Sequence, residues 1–151
     1  MTGSAMTAAT GTPAARGMDA SATAVEFLRR FWRGDVQGAA DLCTADAIWT
    51  FARSLPYPRE CQVRDALGLI NDGLFQRFDP PGRFEVVLRN VAEARGQVFV
   101  EYSATGRLDN GNAYENDYVM AIEVRDGRIV RVRPYTDTMH LAGLFGGRRD
   151  P

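Results

Sequence analysis

The chain of 151 residues has no lysine, one histidine and two cysteines. Every basic residue is therefore arginine, which we read as coding bias and not as a sign of function. The single His140, with Cys43 and Cys61 far from it in sequence, is too thin a donor set for a zinc site, so no metal is expected. Nothing in the spacing supports a Cys-His nucleophilic dyad. With no secretory context, both cysteines are expected as reduced thiols. No apolar run approaches the roughly 20 residues of a membrane span. Residues 1–20, "MTGSAMTAATGTPAARGMDA", lack the apolar stretch of a signal peptide. They are expected as a disordered tail, with Met6 or Met18 as alternative starts, and 147–151 as a second tail. A cytoplasmic setting follows as the default. The formal net charge of −1 gives no field that favours nucleic acid or an anionic membrane. A glycine-rich phosphate loop and internal repeats are both missing.

What is present fits one domain over 21–146. In "SATAVEFLRRFWRGD", Val25, Leu28, Phe31 and Trp32 recur at helical spacing. Ser21 or Thr23 can cap this helix, and Thr23 with Glu26 has capping-box form. "DVQGAADLC" reads as a second helix capped by Asp35, and "AIWTFA" (47–52) as a strand. "RSLPYPRE" is a loop. Val63, Leu67, Ile70, Leu74 and Phe78 make a helical stripe over 62–78, broken by "DPPG". Four strands follow: "RFEVVLRNVAEA", "QVFVEYSATGRL", "AYENDYVMAIEV" and "RIVRVRPYT". "HLAGLF" closes the chain as a short helix. Helices first and an antiparallel meander last make an α+β fold.

The turns predict the register. Asn110-Gly111 reads as a two-residue type I′ turn pairing Asp109 with Asn112. Arg125-Asp126-Gly127 reads as a three-residue turn with a bulge, pairing Val124 with Arg128. Together they place Phe99, Glu101, Ser103, Asn116, Tyr118, Met120, Val132 and Pro134 on one inward face, with Ser103 opposite Tyr118. The fold expectation is tied to that pairing. The outward row Val100, Tyr102, Val119 and Ala121 is apolar, so a homodimer is expected across it. Pro134 cannot donate to a ladder, so it belongs at an edge, a bulge or a strand end.

The segments "VEY" (100–102), "GNAYENDYV" (111–119), "RDGRI" (125–129) and "PYTDT" (134–138) resemble the nuclear transport factor 2-like superfamily, closest to its SnoaL-like and phenazine-biosynthesis A/B-like branches. The similarity covers about 20–145. It implies a cone-shaped curved antiparallel sheet packed on N-terminal helices, a cystatin-like α+β barrel. Members include ketosteroid isomerases, limonene epoxide hydrolases, polyketide cyclases, dehydratases and proteins with no chemistry, so the fold alone does not choose among them. The resemblance implies a catalytic carboxylate on the last strand, where Pro134 stands. The isomerase base falls at Phe51. The epoxide hydrolase Tyr and Asn become Trp49 and Phe51, and its Arg and Asp become Glu101 and Ser103.

Glu101 is thus the one inward carboxylate away from the turn. Among apolar neighbours its pKa should rise, as a general acid or base near neutrality requires. Equally, it can be a structural Glu bonded to a tyrosine or an arginine. Tyr118 and Asn116 can polarise a carbonyl or serve as a satisfied core tyrosine and a pocket wall. Trp49, Phe51 and Tyr57 are expected as an aromatic wall, with Ser103, Met120, Val132 and Pro134 lining the pocket and His140 near its mouth. The leading expectation is a cofactor-independent homodimeric enzyme. It would isomerise, cyclise or dehydrate a polyketide-, steroid- or terpenoid-like molecule. The alternative is a non-catalytic small-molecule-binding protein. The missing Asp-Arg-Asp set weakens an epoxide hydrolase.

Overall fold

A computed structural model describes residues 19–145. Both expected tails, apart from Asp19 and Ala20, lie outside the described residues. Helix α1 spans Ala20–Trp32 and starts two residues earlier than expected. Its cap is neither Ser21 nor Thr23. Asp19 accepts the Ala22 N–H at 2.7 Å, satisfying one of the first-turn donors a helix leaves open. Thr23, Ala24, Phe27, Leu28, Phe31 and Trp32 are buried along one stripe. Helix α2 (Val36–Ala40) is capped by Asp35, which accepts the Gly38 N–H at 2.9 Å. A Cβ at Gly38 would lie 2.0 Å from an Asp35 carboxylate oxygen, so only glycine fits under this cap.

Strand β1 (Cys43–Thr50) starts before the expected segment, and the short β2 (Glu60–Gln62) was not expected at all. Helix α3 runs Val63–Gly73 and stops short of 78, giving way to a 3₁₀ turn at Phe75–Arg77. Then come β3 (Phe84–Ala94), β4 (Gln97–Arg107), β5 (Ala113–Arg125), β6 (Arg128–Thr136) and helix α4 (Thr138–Phe145). The sheet order is β2-β1-β6-β5-β4-β3. All neighbours are antiparallel except β1 and β6, so the sheet is mixed. Irregularities between Leu88 and Asn90 and between Glu123 and Val124 bend the strands, as bulges do. The sheet curves over α1 and α3 without closing. No described helix is long and apolar enough to cross a membrane.

The register corrects the sequence expectation, because the two turns have exchanged types. Asp126 (φ 50°) and Gly127 (φ 77°) both lie in the left-handed region between the paired Arg125 and Arg128. That is the two-residue turn. Asp109-Asn110-Gly111 is the three-residue one: the Leu108 N–H meets the Asn112 carbonyl, Gly111 donates to Leu108, and only Gly111 has positive φ. Tyr102 therefore pairs with Tyr118, and Ser103 with Asp117. A one-residue slip turns a whole strand over. Ser103 and Tyr118 lie on opposite faces, yet the fold stands, since strand order and helix packing do not depend on one hairpin's parity. On β6 the shifted turn is offset by the irregularity at Glu123/Val124, so Val132 still faces inward, now paired with Ile122.

Pro134 pairs with Met120 on β5. The β1–β6 ladder ends at Trp49 and Val132, so beyond it no β1 partner loses an amide.

Candidate functional site

A cavity of about 400 Å3 lies between the inner face of the sheet, α1, α3, the 52–57 loop and α4. Aromatic rings form a large part of its wall. Phe31 packs at 5.7 Å from Trp49 and 5.2 Å from Phe75, and Phe51 at 4.7 Å from Tyr57. Gly73 leaves room for Tyr57, whose hydroxyl would stand 2.6 Å from a Cβ there. Helix α4 places Leu141, Ala142 and Phe145 over the opening. It is capped by Asp137, which accepts the His140 N–H. The carbonyl of Leu144 is held by the Asn110 and Asn112 amides at 2.9 and 3.0 Å, and Ser54 reaches Thr138 at 2.8 Å.

Trp49, Phe51, Tyr57, Tyr118, Met120 and Pro134, all singled out in the sequence, line the cavity. Five other residues do not, and one of them is Asn116, which borders the separate depression that also holds His140. Glu101 is exposed on the outer face, opposite Val119, and accepts from Asn90 at 2.6 Å. The apolar surroundings that its acid–base role required are absent. Ser103 is also on the outer face, where it donates to Asp117 at 2.6 Å and accepts from Arg89 at 2.8 Å. Val132 is fully buried in the core and does not line the space. His140 donates to the Glu115 carbonyl at 2.6 Å and borders a separate shallow depression with Asp117 and Asp137. The expected outward row is corrected too: Val100 and Tyr102 are on the inner face, while Val119, exposed, and Ala121, buried, are on the outer face.

Sequence reasoning missed the phenol cluster. Tyr102 and Tyr118, cross-strand partners, stack with centroids 5.0 Å apart and planes at 7°. The Tyr118 hydroxyl is hydrogen-bonded to that of Tyr114, four residues back on the same face. Asn116 lies between them, buried, with its carbonyl accepting the Asp117 N–H at 3.1 Å. The period-two pattern Tyr114-Asn116-Tyr118 was the available signal. Burial raises the Tyr118 pKa, while the adjacent Tyr114 hydroxyl and Asn116 amide partly lower it. Burial raises Tyr114 further, and its bond to Tyr118 adds to that rise. Either hydroxyl can donate to the other, and the pair as a whole keeps one O–H for a further acceptor. Tyr102 is raised by burial and by Tyr118, with Trp32 opposing. All three phenols are thus neutral donors near pH 7.

No described lining residue is Asp, Glu, His or Cys, and Arg77 is the one lining side chain with a formal charge. Among the described residues no group of His, Cys, Asp and Glu is placed to hold a metal ion. The site can bind apolar rings and offer a hydrogen bond to oxygen. Its own lining carries no carboxylate or imidazole base.

A Bacillus subtilis (strain 168) protein, YesE, itself uncharacterised, is 39% identical over 51 residues, 33% of this chain and 35% of that one. The chain thus matches about a third of that relative's length. A solved Bacillus subtilis structure, provisionally assigned as an isomerase, aligns with a TM-score of 0.69 and 25% identity over 86% of this chain and 97% of that one. TerC, crystallised with polyporic acid, aligns with a TM-score of 0.70 and 16% identity, covering 83% and 96%. The sequence profile of the SnoaL-like domain matches residues 24–132, from within α1 to the middle of β6. That span holds the strands and most of the rings that build the cavity, and by it the chain belongs to the SnoaL-like domain family.

Proposed function

We propose that this protein binds an apolar, ring-bearing small molecule, holding one of its oxygen atoms at Tyr118. The carrying observation is the cavity's make-up: stacked aromatic walls, a protonated phenol pair, and no carboxylate or imidazole among the described lining residues. A volume of about 400 Å3 falls in the ordinary range for small-molecule sites. TerC, co-crystallised with polyporic acid, is a precedent for a small-molecule ligand on this fold. Both tryptophans of the chain, Trp32 and Trp49, line the cavity, so its intrinsic emission reports on occupancy. Titration with 2-naphthol should change that emission saturably. Tyr118→Phe should weaken the binding about tenfold, the worth of one hydrogen bond in a dry site. No saturable change at millimolar naphthol would overturn the reading.

A second reading, favoured by the Tyr114–Tyr118 hydrogen bond, is an enzyme of the isomerase, cyclase or dehydratase kind. The pair would steady the negative oxygen that develops as a substrate carbonyl becomes an enolate. Glu101 has no part in it. The apolar outer residues Phe99, Val119 and Tyr135 suit a homodimer, which sedimentation at micromolar concentration tests.

A further inference from the structure

We propose that Arg77 makes the cavity selective for molecules that carry a carboxylate at the end left at the mouth. The proposal rests on the ligand-binding reading above and names the class of ligand. Arg77 is the one formally charged side chain among the described lining residues, and it is 39% exposed. A cation at the edge of an otherwise apolar space gives a ligand a polar end to match.

Its geometry is fixed before any ligand arrives. The Asp109 N–H donates to the Arg77 carbonyl at 2.7 Å, tying the 3₁₀ turn to the 109–111 loop. The side-chain Nε bonds both Asp109 carboxylate oxygens, at 3.0 and 2.8 Å. The guanidinium carbon lies 5.4 Å from the centre of the Phe145 ring, which itself lines the cavity. Neither terminal guanidinium nitrogen makes a hydrogen bond to a described residue. Asp109 occupies the Nε edge, and the two terminal nitrogens present a fork that matches a carboxylate.

At a distance the Arg77–Asp109 pair is neutral, so it does not steer anions by long-range field. Selection arises on contact. A ligand that fills the mouth strips water from the free N–H groups. One with an acceptor there replaces the lost hydrogen bonds, and one without leaves them unmade. Bound this way, the ligand has an apolar body among the rings, a neutral oxygen at Tyr118 and an anionic end at Arg77.

The test is calorimetry on the full chain near pH 7.5 with 6-hydroxy-2-naphthoic acid and its methyl ester. The acid should bind about tenfold tighter than the ester, as a charge-assisted hydrogen bond implies. Arg77→Gln should bring the acid-to-ester ratio close to one. Arg77→Lys, with the charge but not the fork, should fall between. Asp109→Asn, which removes the competing carboxylate, should raise the ratio. Thermal melts identify any variant that has not folded, and the Lys and Asn variants then carry the test. An ester that binds as tightly as the acid, or a ratio indifferent to Arg77, overturns the proposal. If the ester still binds and depends on Tyr118, the ligand-binding reading survives that failure. If neither molecule binds, both fall.

Discussion

On the inner face of β4 and β5 stand Val100, Tyr102, Ala104, Asn116, Tyr118 and Met120, all buried. One residue along each strand, on the outer face, stand Glu101, Ser103, Asp117 and Val119. Alternation along a pleated strand separates the two sets by a single peptide unit. The inner set has hydroxyls and an amide but no formal charge. The outer set carries the carboxylates, and they are spoken for: Asn90 bonds Glu101, while Ser103 bridges Arg89 and Asp117. Charge can stay on the wet side because water solvates it there. Inside, an unpaired carboxylate would be costly to desolvate. What the fold keeps inside are phenols, which are apolar bodies with one polar tip.

Neighbouring substitutions on β4 test the contrast most sharply. Tyr102→Ala removes a ring stacked on Tyr118 and in edge contact with Trp32. It should cost about 3–5 kcal/mol, as large-to-small core substitutions do. Ser103→Ala, one residue on, should cost only about 1 kcal/mol for its exchanged hydrogen bonds. Chemical denaturation of both variants measures the difference, and equal losses would mean that the two faces are not distinct.

A second expectation concerns alkaline pH. In the unfolded chain a tyrosine ionises near its ordinary value of about 10, whereas Tyr102, Tyr114 and Tyr118 are raised above it in the fold, foremost by burial. Below pH 10 both states hold the proton, and this stabilisation is fully present. As pH rises past 10 the unfolded state sheds protons first, and stability falls until the folded phenols ionise too. The slope should approach about 1.4 kcal/mol per pH unit for each buried phenol. Denaturation between pH 9 and 11.5, with absorbance at 295 nm following phenolate, reads it directly. Ionisation of all five tyrosines near pH 10 in the folded protein would contradict the buried cluster. The same logic applies to Cys43, whose buried thiol is pushed up to about 12.

Element types were legible in the sequence where periodicity was long, in α1 and β3 to β6, while α4 was read from a short apolar segment alone. The short β2 was not, since three residues carry no period. The early end of α3 was hidden as well, because Leu74 and Phe78 continue the apolar stripe past Gly73. The cavity's ring wall of Trp49, Phe51 and Tyr57 was visible, as was the inward Tyr118. Its chemistry was misread through one turn. Asn110-Gly111 and Asp126-Gly127 carry the same local signal, and tertiary contacts tell them apart. Asn110 spends its side chain on the Asn112 N–H and on the Leu144 carbonyl. The latter belongs to a helix more than 30 residues away in sequence. No local pattern announces that helix end, yet it accompanies the longer turn and hence which residues of β4 face in.

The smallest expected effect is the most decisive for the outer face. Glu101→Gln keeps the shape of the side chain and an oxygen able to accept from Asn90. Were Glu101 a desolvated acid–base group, this change would cost about 100-fold or more in turnover. On the outer face it should change stability by less than about 0.5 kcal/mol, as surface substitutions do. The 2-naphthol affinity should be unaltered, because Glu101 does not line the cavity. Denaturation and the tryptophan titration, run beside Tyr118→Phe, give the comparison. Loss of binding in Glu101→Gln equal to that in Tyr118→Phe would mean that β4 presents its other face to the cavity.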